Sequence, residues 1–489
     1  MRKDLKLLGK ETLVYGLSTV VARLLNFLLL PFYTHYLTPA EYGVVTTAYS
    51  YIAFLNILFL LGLDQAYLRF AAGAEDAQAE ASFSTAFWAS LAWGTAGALL
   101  LAAFAVPLAR TGGLGFDAAP LVRCAAAILL LDTLASPAFA ELRLRHRAWA
   151  YAGIKSFNIV LSVALNVAFV GGMRLGVLGV FMAGVVASAA TLLLLAPVAA
   201  GRLRRRFVRP LAEEMLRFGL PLVPAGLGAM VVQVADRPIL LKLTDSGTVG
   251  VYQANYRLGI FMMLLVSMFD QAWRPFYLER AGRPDTPALL ARVLTLFLAA
   301  AAWSALALTL FMPDLVRLPL RGAPLIHPAY WPGLGVVPIV LFAYVFYGAY
   351  VNFLAPVTIA KQTETIAAVT ALGAAVNVIA CFVLIPRWDM IGAAWATLLA
   401  YAAMAGQLYW FTRRAWPVPY EWRRVGALAA TTGAAGFAAW AMNGRLEPGS
   451  WLLARAAVLL ALPLTWLAFL LAPEGAKEAA PASRAVRPP

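Results

Sequence analysis

Apolar runs of about 20–25 residues recur along the whole of this chain, separated by short polar connections. Each is long enough, as a helix, to cross a hydrocarbon core of roughly 30 Å. Fourteen fit, at about 11–36, 43–66, 83–108, 119–140, 152–172, 176–198, 217–242, 250–272, 289–312, 332–356, 364–386, 390–412, 425–442 and 451–472. A soluble domain does not carry so many. At 62% hydrophobic and 13% charged residues, with mean hydropathy +0.76, a soluble globular fold is excluded. A transmembrane barrel needs short alternating segments, which this chain does not have. The expected class is an all-α polytopic membrane protein.

The net charge of +15 does not form one basic patch, so nucleic acid is not an expected partner. Lys and Arg concentrate in alternate connections: the N-terminus (Arg2, Lys3, Lys6, Lys10), then Arg143, Arg145 and Arg147, then Arg202, Arg204, Arg205, Arg206 and Arg209. Arg274, Arg280 and Arg283, then Arg413, Arg414, Arg423 and Arg424, continue the series. The intervening connections carry isolated residues such as Arg110, Arg174 and Arg387. By the positive-inside rule both termini and the basic loops are cytoplasmic, facing anionic headgroups. The basic-then-apolar start lacks a small-residue cleavage site and reads as an uncleaved first span. Cys124 and Cys381 sit in spans with no metal or disulfide spacing, and His35, His146 and His327 are scattered. No metal or cofactor is expected.

An internal repeat is visible. Tyr15-Gly16-Leu17 matches Phe218-Gly219-Leu220, and Asp64-Gln65-Ala66-Tyr67 matches Asp270-Gln271-Ala272-Trp273. Asn166-Val167 with Gly179 is echoed by Asn377-Val378 with Gly392. The offset spans six helices, an even number, so both halves keep one orientation about a pseudo-two-fold along the membrane normal, as in transporters built from parallel repeats. The expected division is 1–200 (spans 1–6), 201–412 (spans 7–12), 413–472 (spans 13 and 14) and a tail, 473–489, rich in Ala, Pro and charge and read as disordered. Two pseudo-symmetric six-helix lobes leave a cleft between them.

Polar residues at membrane depth mark that cleft, because each costs about 2.5–3.5 kcal/mol in lipid. Within Phe218–Arg274, Gln233 and Arg237 on one span and Gln253 and Arg257 on the next are i,i+4 pairs, each a polar stripe on one helix face. Asp236 could pair with either arginine. Arg23 is deep in span 1, with Thr19 and Asn26 on the same face. Asp132 lies mid-span in span 4, nine residues after Arg123. It reads either as a coupling carboxylate or as the counter-ion of Arg23. Asp64 and Asp270 end spans 2 and 8 at equivalent places; ion pairs with Arg69 or Arg274 would close a cytoplasmic gate, and a solvated helix end is the plain alternative. Pro31, Pro221, Pro224 and Pro238 should bend spans 1 and 7.

The stretches LPFYTHYLTPAEYGVV, ADRPILLKL with GTVGVYQANYRLG, and AAVNVIACFVLIPRWDMIGAAWATLLAY resemble the polysaccharide transporter (Wzx-type) branch of the multidrug/oligosaccharidyl-lipid/polysaccharide exporter superfamily. The resemblance runs from Lys6 to about Leu471. It implies a two-lobed alternating-access bundle, not an enzyme. The implied task is moving a polyprenyl-pyrophosphate-linked oligosaccharide between leaflets of the bacterial inner membrane, for O-antigen, exopolysaccharide or related glycans. On that reading Arg23, Arg237 and Arg257, with Asn26, Gln233 and Gln253, would line a cationic cavity, since arginine's fork of donors suits a diphosphate. Proton or sodium coupling stays open. The alternatives are a cation-coupled multidrug exporter on the same fold, which would want carboxylates deep in the lobes, and a lipid II flippase. An intramembrane enzyme would want a long loop or soluble domain with clustered acids or histidines, which the longest periplasmic connection, about 313–331, does not hold.

Overall fold

The computed structural model describes residues 24–25, 27–320, 322–442 and 448–470. Arg23, Asn26, the Tyr15-Gly16-Leu17 element and the tail from Pro473 lie outside the described residues.

Helix α1 (27–36) continues through Pro31. A two-residue turn leads to α2 (Pro39–Leu60), which begins at a capping box. The Glu41 N–H donates to Thr38 Oγ1 (3.3 Å), the Thr38 N–H donates to Glu41 Oε2 (2.8 Å), and Pro39 occupies the first turn, where no N–H is needed. Leu61 and Gly62, both left-handed, then break the span before α3 (Leu63–Ala71). There follow α4 (Asp76–Ala103), α5 (Ala105–Thr111), α6 (Ala119–Leu144), α7 (Ala148–Asn166) and α8 (Gly176–Arg202). A short amphipathic helix, α9 (Arg209–Gly219), leads into α10 (Leu222–Val234) and α11 (Asp236–Leu243). The break at Ala235 has a local cause: Pro238 has no N–H to offer the Val234 carbonyl one turn back. Next come α12 (Ser246–Arg257) and α13 (Ile260–Glu279), which meet at a bend of 46°. The series ends with α14 (Thr286–Arg317), a small hairpin of β1 (Pro319–Leu320) and β2 (Ala323–Pro324), α15 (Val336–Ile359), α16 (Thr363–Ala415), α17 (Trp422–Met442) and α18 (Pro448–Leu470).

Among the described residues eleven helices are long and apolar enough to cross a membrane, or twelve if the bent α12–α13 pair counts as one span. The 53-residue α16 is not one rod. Asp389 is left-handed (φ 54°), and a Cβ on Gly392 would fall 2.4 Å from the Leu384 carbonyl oxygen. In a straight helix residues eight apart are separated by ~12 Å, so the chain reverses at Asp389, where the sequence separates its eleventh and twelfth spans. The matching place in the first half has the same device: Arg174 is left-handed (φ 55°) between Asn166 and Gly179.

Helices α2, α4, α6 and α8 pack together, with α7 on α8. A second group forms around α15 and α16, taking in α10, α11, α13 and α14; α17 and α18 rest on α14. The two groups join where α2 lies against α12, α10 and α11, and where α9 lies against α3 and α4. The buried face of α2 carries small and hydroxyl residues that let backbones approach, among them Ala48, Thr46, Thr47 and Ser50.

Candidate functional site

At the end of the bundle remote from the basic loops, the two groups meet backbone to backbone. A Cβ on Gly43 would fall 1.8 Å from the Ser246 carbonyl oxygen, and one on Gly250 would fall 1.9 Å from the Pro39 carbonyl oxygen. The contact is reciprocal at a constant offset, because 39 to 246 and 43 to 250 are both 207. That is the signature of a local two-fold between equivalent surfaces. Segment 328–335 seals this joint: Tyr330 Oη donates to the Leu37 carbonyl (2.9 Å), and Asn255 Nδ2 donates to the Tyr330 carbonyl (2.8 Å). The continuations α3 and α13, toward the basic end, do not pack side by side.

Two cavities, of about 490 and 390 Å³, lie inward of the seal and share one wall: Val234, Arg237, Gln253 and Arg257. The smaller one is lined by hydroxyls and an amide from the first group, including Tyr42, Thr46, Ser50, Ser162 and Asn166. The larger lies on the second group and is lined by tyrosines from α12, α15 and α16. All four polar residues expected on α10–α12 therefore line a cavity: Gln233 opens into the larger one only, and Gln253, Arg237 and Arg257 into both.

The two arginines differ in what holds them. Arg237 is buried, and its donors are committed within the wall. Nη1 donates to Asp236 Oδ1 (2.7 Å) and to the Gln233 carbonyl, Nε donates to Gln253 Oε1 (2.9 Å), and the guanidinium lies 4.3 Å from the centre of the Tyr256 ring. Tyr252 Oη donates to the other Asp236 oxygen (2.5 Å). Neighbours in sequence do not ordinarily face each other on a helix. Here the break at Ala235 puts Asp236 on the first turn of α11, where its carboxylate turns back onto Arg237. The pair is electrically closed: Asp236, expected to pair with either arginine, takes Arg237 and balances its charge. Arg257 is half-buried, reaches Tyr42 Oη at 3.3 Å, and has no carboxylate partner among the described residues. The third expected cation, Arg23, and its neighbour Asn26 lie outside the described residues.

The remaining candidates fall elsewhere. Asp132 is exposed on α6 and faces the Ser188 hydroxyl and Lys155, a cation that the sequence reading passed over. Arg123 is exposed nine residues away, ~13 Å along the helix, too far to pair with it. Of the pairings expected at the inner gate, Asp270 with Arg274 forms, and Asp64 pairs with Arg143 instead. Asp64 bonds Arg143 (3.4 Å) within the first group, Arg69 lies over the Phe218 ring (4.7 Å), and Asp270 bonds Arg274 (2.8 Å) one turn along the same helix. Neither ion pair bridges the two groups, because each carboxylate has a cation nearer at hand on its own side. Asn166 holds Tyr33 (2.8 Å) across α1 and α7, whereas its repeat partner Asn377 is fully buried with no hydrogen-bond partner among the described residues.

Two features went unread in the sequence. Glu141, buried on α6, accepts from Tyr67 Oη, from Arg145 Nε (2.5 Å) and from Arg202 Nε (2.8 Å). The tyrosines of the larger cavity are the other; Tyr344, Tyr347 and Tyr350 recur every third residue on α15, a helical-face signal that was available, but Tyr401 is brought to them only by the α16 hairpin.

The family model described as polysaccharide biosynthesis protein matches residues 8–279, more than half of the chain. The chain belongs to that family. No curated protein matches it in sequence. Among solved structures it is similar to a lipid II flippase, MurJ, in an inward closed conformation, with a TM-score of 0.75 at 14% identity, covering 94% of this chain and 100% of that one. It is also similar to an inward-facing multidrug resistance MATE transporter of the MOP superfamily, with a TM-score of 0.63 at 15% identity over 84% of this chain and 99% of that one. The MATE transporter VcmN of Vibrio cholerae is a third, with a TM-score of 0.59 at 14% identity over 84% and 96%. At these identities the likeness shows the fold alone. This member of the polysaccharide biosynthesis family is a multi-pass helical membrane protein with the fold of those structures.

Proposed function

We propose that this chain flips a polyprenyl-pyrophosphate-linked oligosaccharide from the cytoplasmic to the periplasmic leaflet of a bacterial inner membrane, supplying cell-surface polysaccharide assembly. The observation that carries this reading is Arg257: a cation in the wall between two cavities, bonded to a tyrosine hydroxyl and to no carboxylate among the described residues. A guanidinium without a counter-charge in a secluded site attracts an anion, and its planar fork fits two phosphate oxygens at once. Arg237, closed by Asp236, holds Gln253 in place beside it.

The positive-inside rule sets the basic end, with both termini, in the cytoplasm. The Gly43–Gly250 seal is then periplasmic, and residues 1–200 and 201–412 act as two lobes rocking about it, with 413–472 as appended spans. With the interior negative, moving about two negative charges outward is favoured by roughly 4–5 kcal/mol per 100 mV, so the potential biases the flip with or without proton or sodium coupling. An organic-cation exporter fits less well, because no Asp or Glu is among the described residues lining either cavity. A lipid II flippase shares the diphosphate-sugar headgroup and differs in the glycan.

The test is leaflet transfer of a fluorescent polyprenyl-pyrophosphate glycan in proteoliposomes. Wild-type protein should move it, and Arg257→Ala should not. Transport of cationic dyes with indifference to the pyrophosphate lipid would overturn the proposal.

A further inference from the structure

We infer that the larger cavity is a carbohydrate subsite, in which the sugars nearest the diphosphate stack on the Tyr347 and Tyr401 rings while Arg257 holds the phosphates. This deepens the flippase reading and rests on it. The cavity's size, about 490 Å³, lies within the ~300–1,000 Å³ of small-ligand sites. It accepts a short stretch of glycan rather than a long chain. Its floor is a cluster of mutually tilted rings from two helices: Tyr347 is 5.0 Å from Tyr401 and 6.0 Å from Tyr350, and Tyr344 is 6.1 Å from Tyr401, centre to centre. Tyrosine is the informative choice. A polyprenyl tail would be served by Leu, Ile or Phe, which need no hydrogen-bond partner. A pyranose presents a face of C–H groups, slightly positive, to the electron-rich ring and an edge of hydroxyls to polar groups. Around the floor stand Ser267, Thr370 and the Gln233 and Gln253 amides, which match that edge.

An aromatic enclosure also suits an organic cation, and the charges here decide against it. Arg237 already lies over the Tyr256 ring, Arg257 stands in the same wall, and no carboxylate is among the described lining residues. A cation would meet repulsion; a neutral sugar next to a bound diphosphate would not. The smaller cavity has three tyrosines, Tyr33, Tyr42 and Tyr49, set among the hydroxyls of Thr46, Ser50 and Ser162, against five in the larger.

The experiment measures binding to the full chain in lipid nanodiscs of three probes: bare polyprenyl pyrophosphate, the glycan-bearing form extracted from cells producing the chain, and rhodamine 6G. Tyr347→Phe keeps the ring, Tyr347→Leu and Tyr401→Leu remove it, and Arg257→Ala removes the cation. The glycan-bearing lipid should bind wild type more tightly than the bare lipid. Each Leu variant should weaken the glycan-bearing form about tenfold, the effect of losing one stacked ring, and leave the bare form within about twofold. Tyr347→Phe should stay near wild type. If the Leu variants weaken both lipids equally, or neither, the subsite is wrong. Rhodamine binding that is lost in the Leu variants overturns it in favour of a drug site. If bare lipid fails to bind wild type, or binds Arg257→Ala equally well, the flippase reading itself fails, a result distinct from the others.

Discussion

Gly43 and Gly250 touch through their backbones: each amide nitrogen lies 3.0 Å from where the other residue's Cβ would be. The two positions are repeat equivalents, so the seal at this end is built from the same helix start used twice, face to face. Helix α2 enters it from a Thr38 capping box and α12 from an Asp245 cap.

A methyl group at either glycine has a carbonyl oxygen in its way, and backbone does not swing aside as a side chain does. Gly43→Ala or Gly250→Ala should disfavour the sealed state by about 1–3 kcal/mol, the usual range for overpacking. A cysteine pair introduced across α2 and α12 should crosslink more slowly in either variant, and flipping should fall. Unchanged crosslinking would show that the helices separate freely there.

Asp236 and Arg237 form a pair in which both members are buried. Asp236→Asn leaves an uncompensated buried guanidinium and should destabilise the protein by about 3–5 kcal/mol, whereas replacing both by similar-sized apolar residues should cost far less. Thermal unfolding in detergent distinguishes the two. Arg257→Ala should behave oppositely, with near-normal melting and lost transport.

Asp245 accepts from the Gly247 and Thr248 amides (2.7 and 3.1 Å) and the Thr248 hydroxyl (2.8 Å). These bonds, the Thr248 hydroxyl foremost, hold its carboxyl below the usual range. A depressed carboxylate adds stability that is complete above the unfolded value of ~3.9 and fades as pH falls through the lower folded value. The melting temperature should therefore drop more steeply below about pH 4 in wild type than in Asp245→Ala, which should already have lost ~1 kcal/mol at neutral pH.

Glu141 gathers Tyr67, Arg145 and Arg202 at the basic end, and Arg202 also bonds Asp76 (3.0 Å). Glu141→Ala should free the 203–208 connection, measured as faster proteolysis there, while Arg257-dependent lipid binding persists. Equal proteolysis in variant and wild type would remove this clasp from the account.

Hydropathy and repeat spacing determined the class of fold and its doubling, because lipid admits only backbone that satisfies its own hydrogen bonds, and a span's length is set by bilayer thickness. The i,i+4 stripes placed Gln233, Arg237, Gln253 and Arg257 on a cavity for the same reason: polar groups at that depth must face away from lipid. Which arginine remains uncompensated was not legible, since it depends on a helix break at Ala235 that turns Asp236 onto its neighbour. Nor was the tyrosine floor, whose members come from α15 and from beyond the α16 reversal. Helix periodicity is a local property of the chain; charge pairing and ring clustering depend on which helices the tertiary fold brings side by side.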